Sequence, residues 1–204
     1  MGKHLKKPAS VRVSDETMTL WNEMAALHGG KEQALAKGLA KLKAVFAARD
    51  RCDETVERIR SVRTAEYLYI RNFHPQRPHL QPNAYKDGKS IIQTLRALHA
   101  AGTLDPLAER LLFSPTRPAE ELYAWTVDRW QIANLADDPA HRLALEELRG
   151  RLDRWMAETH DPGPESEAMY DSDMAVYEAS LGRRTDDTLA RNIALMKQWA
   201  REGK

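Results

Sequence analysis

Cysteine is almost absent from this chain: Cys52 is the single one among 204 residues. A lone thiol closes no internal disulfide and builds no zinc knuckle, so disulfide scaffolds and paired-cysteine redox chemistry are excluded. Also lacking is an apolar run near the roughly 20 residues that a membrane helix needs. The basic start, Lys3, Lys6 and Lys7, continues into Pro8, Ser10, Arg12 and Ser14 rather than an apolar stretch, so no signal peptide is read here. The expectation is a cytoplasmic chain with no membrane partner. A surplus of one charge is missing too, since 31 Lys and Arg oppose 30 Asp and Glu. That balance names no partner, but its distribution is uneven. Residues 1–44 hold eight basic against four acidic side chains, a surplus of +4 that leaves −3 for residues 45–204.

What is present is the composition of a folded protein, 42% hydrophobic and 30% charged, rather than that of a disordered one. Two modules are predicted. The first, residues 1–44, starts with Ser10-Val11-Arg12-Val13-Ser14, which alternates with the period of a half-buried strand. Ser14 or Asp15 then caps a helix carrying Met18, Trp21 and Leu27, which Gly29-Gly30 stops. A second helix from about Lys31 sets Leu35, Leu39 and Leu42 in register.

The second module, residues 45–204, opens on a strand at Val45-Phe46-Ala47-Ala48 expected to be buried, followed by a charged loop, Arg49-Asp50-Arg51-Cys52-Asp53-Glu54. Ile59 to Val62 and Tyr67 to Ile70 read as a hairpin. Pro75, Pro78 and Pro82 rule out regular bonding from His74 to Asn83, which is expected to wrap over the surface. Ile91 or Ile92, Leu95 and Leu98 predict a helix ended by Gly102, and Leu122 to Trp125 another strand. Asp138-Pro139 pairs a capping residue with proline at the first helical position, ahead of a face of Leu145, Leu148, Leu152, Trp155 and Met156. Met169 to Met174 shows little periodicity, and Leu189, Ile193, Met196 and Trp199 mark a last helix. The fold class expected is α+β: a small antiparallel sheet with packed helices, preceded by a short strand-helix-helix module.

Two sets of residues invite functional readings. Arg49, Asp50, Arg51, Asp53 and Glu54 read either as the lining of a pocket for sulfate or sugar carboxylates, because guanidinium forks bind such anions in pairs, or as a solvated loop. His74, His79, Asp171 and Asp173 match no dedicated metal-ligand spacing, so no metal is assigned. Trp125, Trp130, Trp155 and Trp199 are expected in a core or an interface.

Arg58-Ile59-Arg60-Ser61-Val62-Arg63 followed by Tyr67-Leu68-Tyr69-Ile70-Arg71-Asn72-Phe73 resembles the late hairpin of heparan N-sulfatase-like sulfatases. The resemblance continues in order through Glu120-Glu121-Leu122-Tyr123, Asn134-Leu135-Ala136-Asp137-Asp138-Pro139, Leu148 to Trp155, and Glu158-Thr159-His160-Asp161. Bacterial members are also similar at Gln81-Pro82-Asn83-Ala84-Tyr85-Lys86 and at Asn192 to Trp199. It implies a parent of alkaline-phosphatase-like architecture, with residues 45–204 matching its smaller C-terminal subdomain. Members of that family, commonly exported, hydrolyse sulfate esters or sulfamates. They use a formylglycine made from a Cys-any-Pro-any-Arg motif, beside a calcium held by Asp and Asn. Cys52 is followed by Asp53-Glu54-Thr55-Val56, and Ser114-Pro115-Thr116-Arg117 carries its proline one residue early. Neither is the precursor. The expectation is therefore a chain with no catalytic residue and no cofactor of its own, inactive alone and partnered by a separate sulfatase catalytic domain.

The first module resembles ribbon-helix-helix proteins at Val11-Arg12-Val13-Ser14-Asp15-Glu16. That resemblance implies a homodimer whose outward Ser10, Arg12 and Ser14 enter a DNA groove while Lys31, at the second helix start, holds phosphate. Nucleic acid is the alternative partner, and a plain helical cap is the reading against it.

Overall fold

The computed structural model describes residues 44–181 and 187–204. The predicted module of residues 1–44, with Ser10, Arg12, Ser14 and Lys31, lies outside them apart from Ala44. Three strands come first: β1 (Val45–Cys52), β2 (Thr55–Arg63) and β3 (Leu68–Asn72). Helices α1 (Ala84–Asp87), α2 (Ser90–Ala100) and α3 (Pro106–Ala108) follow, the last running into a wide π-helical turn, Glu109–Phe113. Then come β4 (Glu120–Tyr123), a 3-10 turn (Pro139–His141), α4 (Arg142–Glu158), α5 (Glu167–Leu181) and α6 (Asp187–Arg201). The strands form one antiparallel sheet in the order β1-β2-β3-β4, with Tyr69 opposite Leu122 and Arg71 opposite Glu120. The α+β class is as expected, and among the described residues no helix is long and apolar enough to cross a membrane.

The described residues divide into two compact units. The first comprises residues 44–49, Ile59–Arg71 and Glu120–Pro162. Its core is apolar. Leu145, Leu148, Leu152 and Trp155 form the buried stripe of α4, as the helical spacing predicts, and close on Val62, Tyr69 and Leu122 of the sheet. Phe46 stacks on Trp155 with ring centroids 5.3 Å apart. Each such side chain removed from water contributes about 1.5–3 kcal/mol, which makes this stripe the main term holding the unit. The start predicted for this helix at Asp138-Pro139 is instead that of the 3-10 turn, and α4 itself begins at Arg142 with no side-chain cap. Asp138 accepts from the Ala140 amide (2.9 Å), and Pro139 occupies a position whose missing N–H costs nothing.

The second unit comprises Asp50–Arg58, Asn72–Ala119 and the described part of Gly163–Lys204. Its apolar cluster is small: Tyr170 and Met174 of α5 with Met196 of α6, flanked by Val56, Ile193 and Trp199. Much of what it buries is polar, including Glu54, Glu57, Arg77, Asn83, Arg117 and Asn192. Helix α2 buries none of its residues, and Ile91 is 68% exposed. It ends as predicted near Gly102, whose φ of +67° places it in the left-handed region that glycine enters without strain. The amides of Gly102 and Thr103 turn back to His99 O and Leu98 O.

Several expectations need correction. The stretch Arg49 to Cys52 is not a loop; β1 runs through it, and only Asp53 and Glu54 turn. Asp53 makes that turn with φ of 51°, a conformation aspartate tolerates better than most residues. Residues Val45 to Ala48 are half-buried rather than buried, because β1 is an edge strand. The segment from His74 to Asn83 is irregular as proline dictates, yet Arg77, Gln81 and Asn83 are buried rather than wrapped over the surface. Met169 to Met174 lies inside α5, where two contacts to the unit's core outweigh a weak periodicity. Trp155 is a core residue, but Trp130 is 73% exposed.

Candidate functional site

The turn between β1 and β2 belongs to the second unit, where it delivers Glu54 to a wholly buried position. A carboxyl group there must collect donors, and it does. Oε1 accepts from the Ala84 amide at 2.6 Å and from Asn192 Nδ2 at 2.8 Å. Asn83, itself fully buried, ties the same point together: its Oδ1 caps α1 at the Lys86 amide (2.9 Å), while Nδ2 donates to Cys52 O (3.2 Å) and Thr55 Oγ1 (3.1 Å). Tyr170 donates its phenol to Glu54 O at 2.8 Å, and burial raises that phenol's pKa.

Arg51 projects from the same strand end into carboxylates. Its guanidinium meets Asp173 at 2.5 Å and Glu165 at 3.2 Å. Of the five residues read as a pocket lining, then, Glu54 is enclosed by its own donors and Arg51 is held by two acids. Asp53 forms the turn, Asp50 is exposed on the strand, and Arg49 is half-buried with its carbonyl accepting from Arg60 at 3.3 Å. Asp171 and Asp173, considered above with the histidines, pair with Lys197 and Arg51.

A second buried cluster in this unit escaped sequence reasoning altogether. Arg117 binds Glu57 through both terminal nitrogens, with side chains 1% and 3% exposed. Beside them Arg77 donates to Val56 O (2.9 Å) and Lys204 O (2.7 Å) and lies under the Trp199 ring at 5.3 Å. Burial lowers the Arg77 pKa to about 10. His74 is pushed down to about 4, first by burial and then by the positive charge of Arg77, with Arg117 and Arg58 adding to it and Glu57 opposing it. It is neutral at physiological pH. Glu57 and Arg117 are far apart in sequence, so no local motif announces them. The available signal was the period-two burial of Thr55 and Glu57, which shifts phase to Arg60 and Val62 as β2 passes from the second unit to the first.

The first unit contains a cleft of ≈ 470 Å³ lined by the β2–β3 turn, Thr64 to Tyr67, and by Leu143, Ala144, Glu147, Leu148 and Arg151 of α4. Tyr67 Oη and His141 Nδ1 are joined by a 3.1 Å hydrogen bond, and Arg151 pairs with Glu147 at 2.6 Å. Behind it Tyr69, buried and raised to about 12 by burial and by its hydrogen bond to Glu120, completes a network with Arg71 and Arg149. Arg149 holds the Glu120 carboxyl below its ordinary range.

The residues that carry the family resemblance are in large part these ties. In the first unit Arg60 binds Asp161 at 2.5 Å, Arg71 binds Asp153, and Asn134 accepts from the Leu122 amide at 2.9 Å. In the second unit Asn83 and Asn192 meet at Glu54. The class thus defined is an α+β segment whose motif residues are spent on ion pairs, the Arg60–Asp161 pair buried, and on caps. Comparison with known proteins places it further: part of this chain is similar to a segment of a sulfatase. The relative is the ulvan-active sulfatase of Formosa agariphila, 36% identical over 125 residues, which is 60% of this chain and 21% of that protein. The similarity therefore spans about a fifth of the relative's length. No protein-family model matches the chain.

Among the described residues the donor sets do not fit the groups that the sulfatase resemblance implies. Cys52 lacks the proline and arginine of a formylglycine precursor. Among the described residues no three His, Cys, Asp or Glu side chains converge as a calcium cage would require.

Proposed function

We propose that this chain is a sulfatase-derived support segment, of the kind that forms the C-terminal subdomain of formylglycine-dependent sulfatases, without hydrolytic activity of its own. The observation that carries the reading is the 36% identity to a segment of a sulfatase. It is supported by the use of the residues that carry the resemblance as structural ties, and by the lack of a Cys-any-Pro-any-Arg sequence anywhere in the 204 residues. The parent reaction is hydrolysis of a sulfate ester or sulfamate. The relative is described as active on ulvan, so a sulfated polysaccharide is the substrate class we assign to the assembled enzyme. In that assembly the segment holds substrate-side surface in place, with Arg49, Asp50 and Asp53 at its β1 end.

The test is hydrolysis of an aryl sulfate by the purified chain with added calcium. The expected rate equals the buffer blank, and turnover that survives further purification overturns the proposal. Mixing with a separately expressed sulfatase catalytic segment should yield a complex that co-elutes.

A further inference from the structure

Trp130 stands out of the first unit's surface, 73% exposed, beside Val127 at 86%. An exposed tryptophan on a loose loop would fold back onto apolar surface, because so much ring area in water is unfavourable. This loop is not loose. Asp128 Oδ2 accepts from the amides of Ile132 and Ala133, both at 2.9 Å, and the amides of Val127 and Asp128 return to Ala124 O at 3.0 and 2.9 Å. Gln131 is held at φ of 55°, a left-handed conformation that a non-glycine residue adopts at some cost. At the loop's start Trp125 donates its indole N–H to Thr64 O at 3.0 Å and carries the guanidinium of exposed Arg63 at 3.8 Å from its ring centre. Arg129 lies 4.8 Å from the Trp130 ring centre. The acid of the loop, Asp128, is turned onto backbone, while Arg63, Arg129 and Trp130 are exposed.

We propose that this platform, Arg63, Trp125, Arg129 and Trp130, binds a sulfated polysaccharide chain. The C–H face of a sugar ring stacks on an indole, and sulfate groups spaced along the chain accept paired donors from arginine. A fixed loop limits the ordering cost of binding. The substrate class rests on the sulfatase reading. The readout is binding, whereas that reading fails through turnover, so the two failures are distinguishable.

The experiment is titration of the full chain with dextran sulfate, neutral dextran and poly-glutamate, followed by calorimetry. Dextran sulfate should bind, more weakly as salt is raised, and neutral dextran should not. Trp130→Ala should weaken binding about tenfold and Arg129→Ala about threefold, while Trp130→Phe retains most of it. Arg142→Ala, an exposed arginine on α4 paired with Glu146, is the control and should change nothing. The basic residues 1–44 are common to all variants, so the ratios report the platform. Unchanged affinity in Trp130→Ala, equal loss in Arg142→Ala, or equal binding of poly-glutamate, which offers charge without a sugar ring, overturns the proposal.

Discussion

The first unit buries Val62, Tyr69, Leu122 and the leucine stripe of α4, whereas the second buries Glu54, Glu57, Arg77, Asn83 and Arg117 around a few apolar residues. These are different solutions to the same problem. An apolar core gains from leaving water and tolerates modest shifts of its members. A polar core gains little on balance, because each charge repays its desolvation only while every partner is in place. The first unit should therefore lose stability in proportion to the volume removed, and the second abruptly when one partner goes.

Replacing Arg117 by Leu while Glu57 remains breaks the comparison most sharply. It strands a buried carboxylate, and the expected loss is about 3–5 kcal/mol in urea denaturation. Replacing Glu57 and Arg117 together by apolar residues should restore most of it; if the double variant is as unstable as the single one, the polar core is not behaving as a set of paired charges. Leu152→Ala in the first unit is expected to cost about 2–5 kcal/mol through the cavity it leaves. Its effect should be insensitive to pH and salt. Glu54→Gln removes a charge but keeps an acceptor for Ala84, and about 1–3 kcal/mol is expected, read as faster amide exchange at α1 and α6.

Acid provides the gentlest discrimination. The His74 pKa in the fold, about 4, lies below its ordinary 6.5. The unfolded chain therefore takes up this proton as pH falls through 6.5, and the folded chain resists until about 4. Stability from this source is complete above the upper value, falls between the two, and is gone below the lower. His74→Asn should flatten that stretch of the profile. In the first unit the corresponding group is Glu120, depressed by Arg149, so its contribution is lost only as pH falls through the acid side of the carboxylate range. Amide protection, taken relative to the slower intrinsic exchange at lower pH, should fall between pH 7 and pH 5 in the second unit before the first.

Legibility in the sequence follows the same division. The hairpin of β2 and β3, the cap at Asp138-Pro139 and the α4 stripe were all readable, because strand period, helix period and cap chemistry are local. The extension of β1 through Arg49 to Cys52 was not, since charged residues on an edge strand look like a loop. Nor was α5, whose register is set by the contacts of Tyr170 and Met174 rather than by its own pattern. Of the residues proposed as a pocket lining, the sequence did not disclose the fate of Glu54, which depends on Ala84 and Asn192 arriving from elsewhere.

Read alone, the order of residues determined an α+β class, a resemblance to a segment of a sulfatase and the lack of a formylglycine motif, because each depends on neighbours along the chain. Tertiary structure decided that Glu57 would find Arg117, that Asn83 would serve as a cap and a strut at once, and that Trp130 would stand in solvent. Those outcomes depend on which distant groups meet where water is excluded. Nothing in a local pattern encodes that meeting.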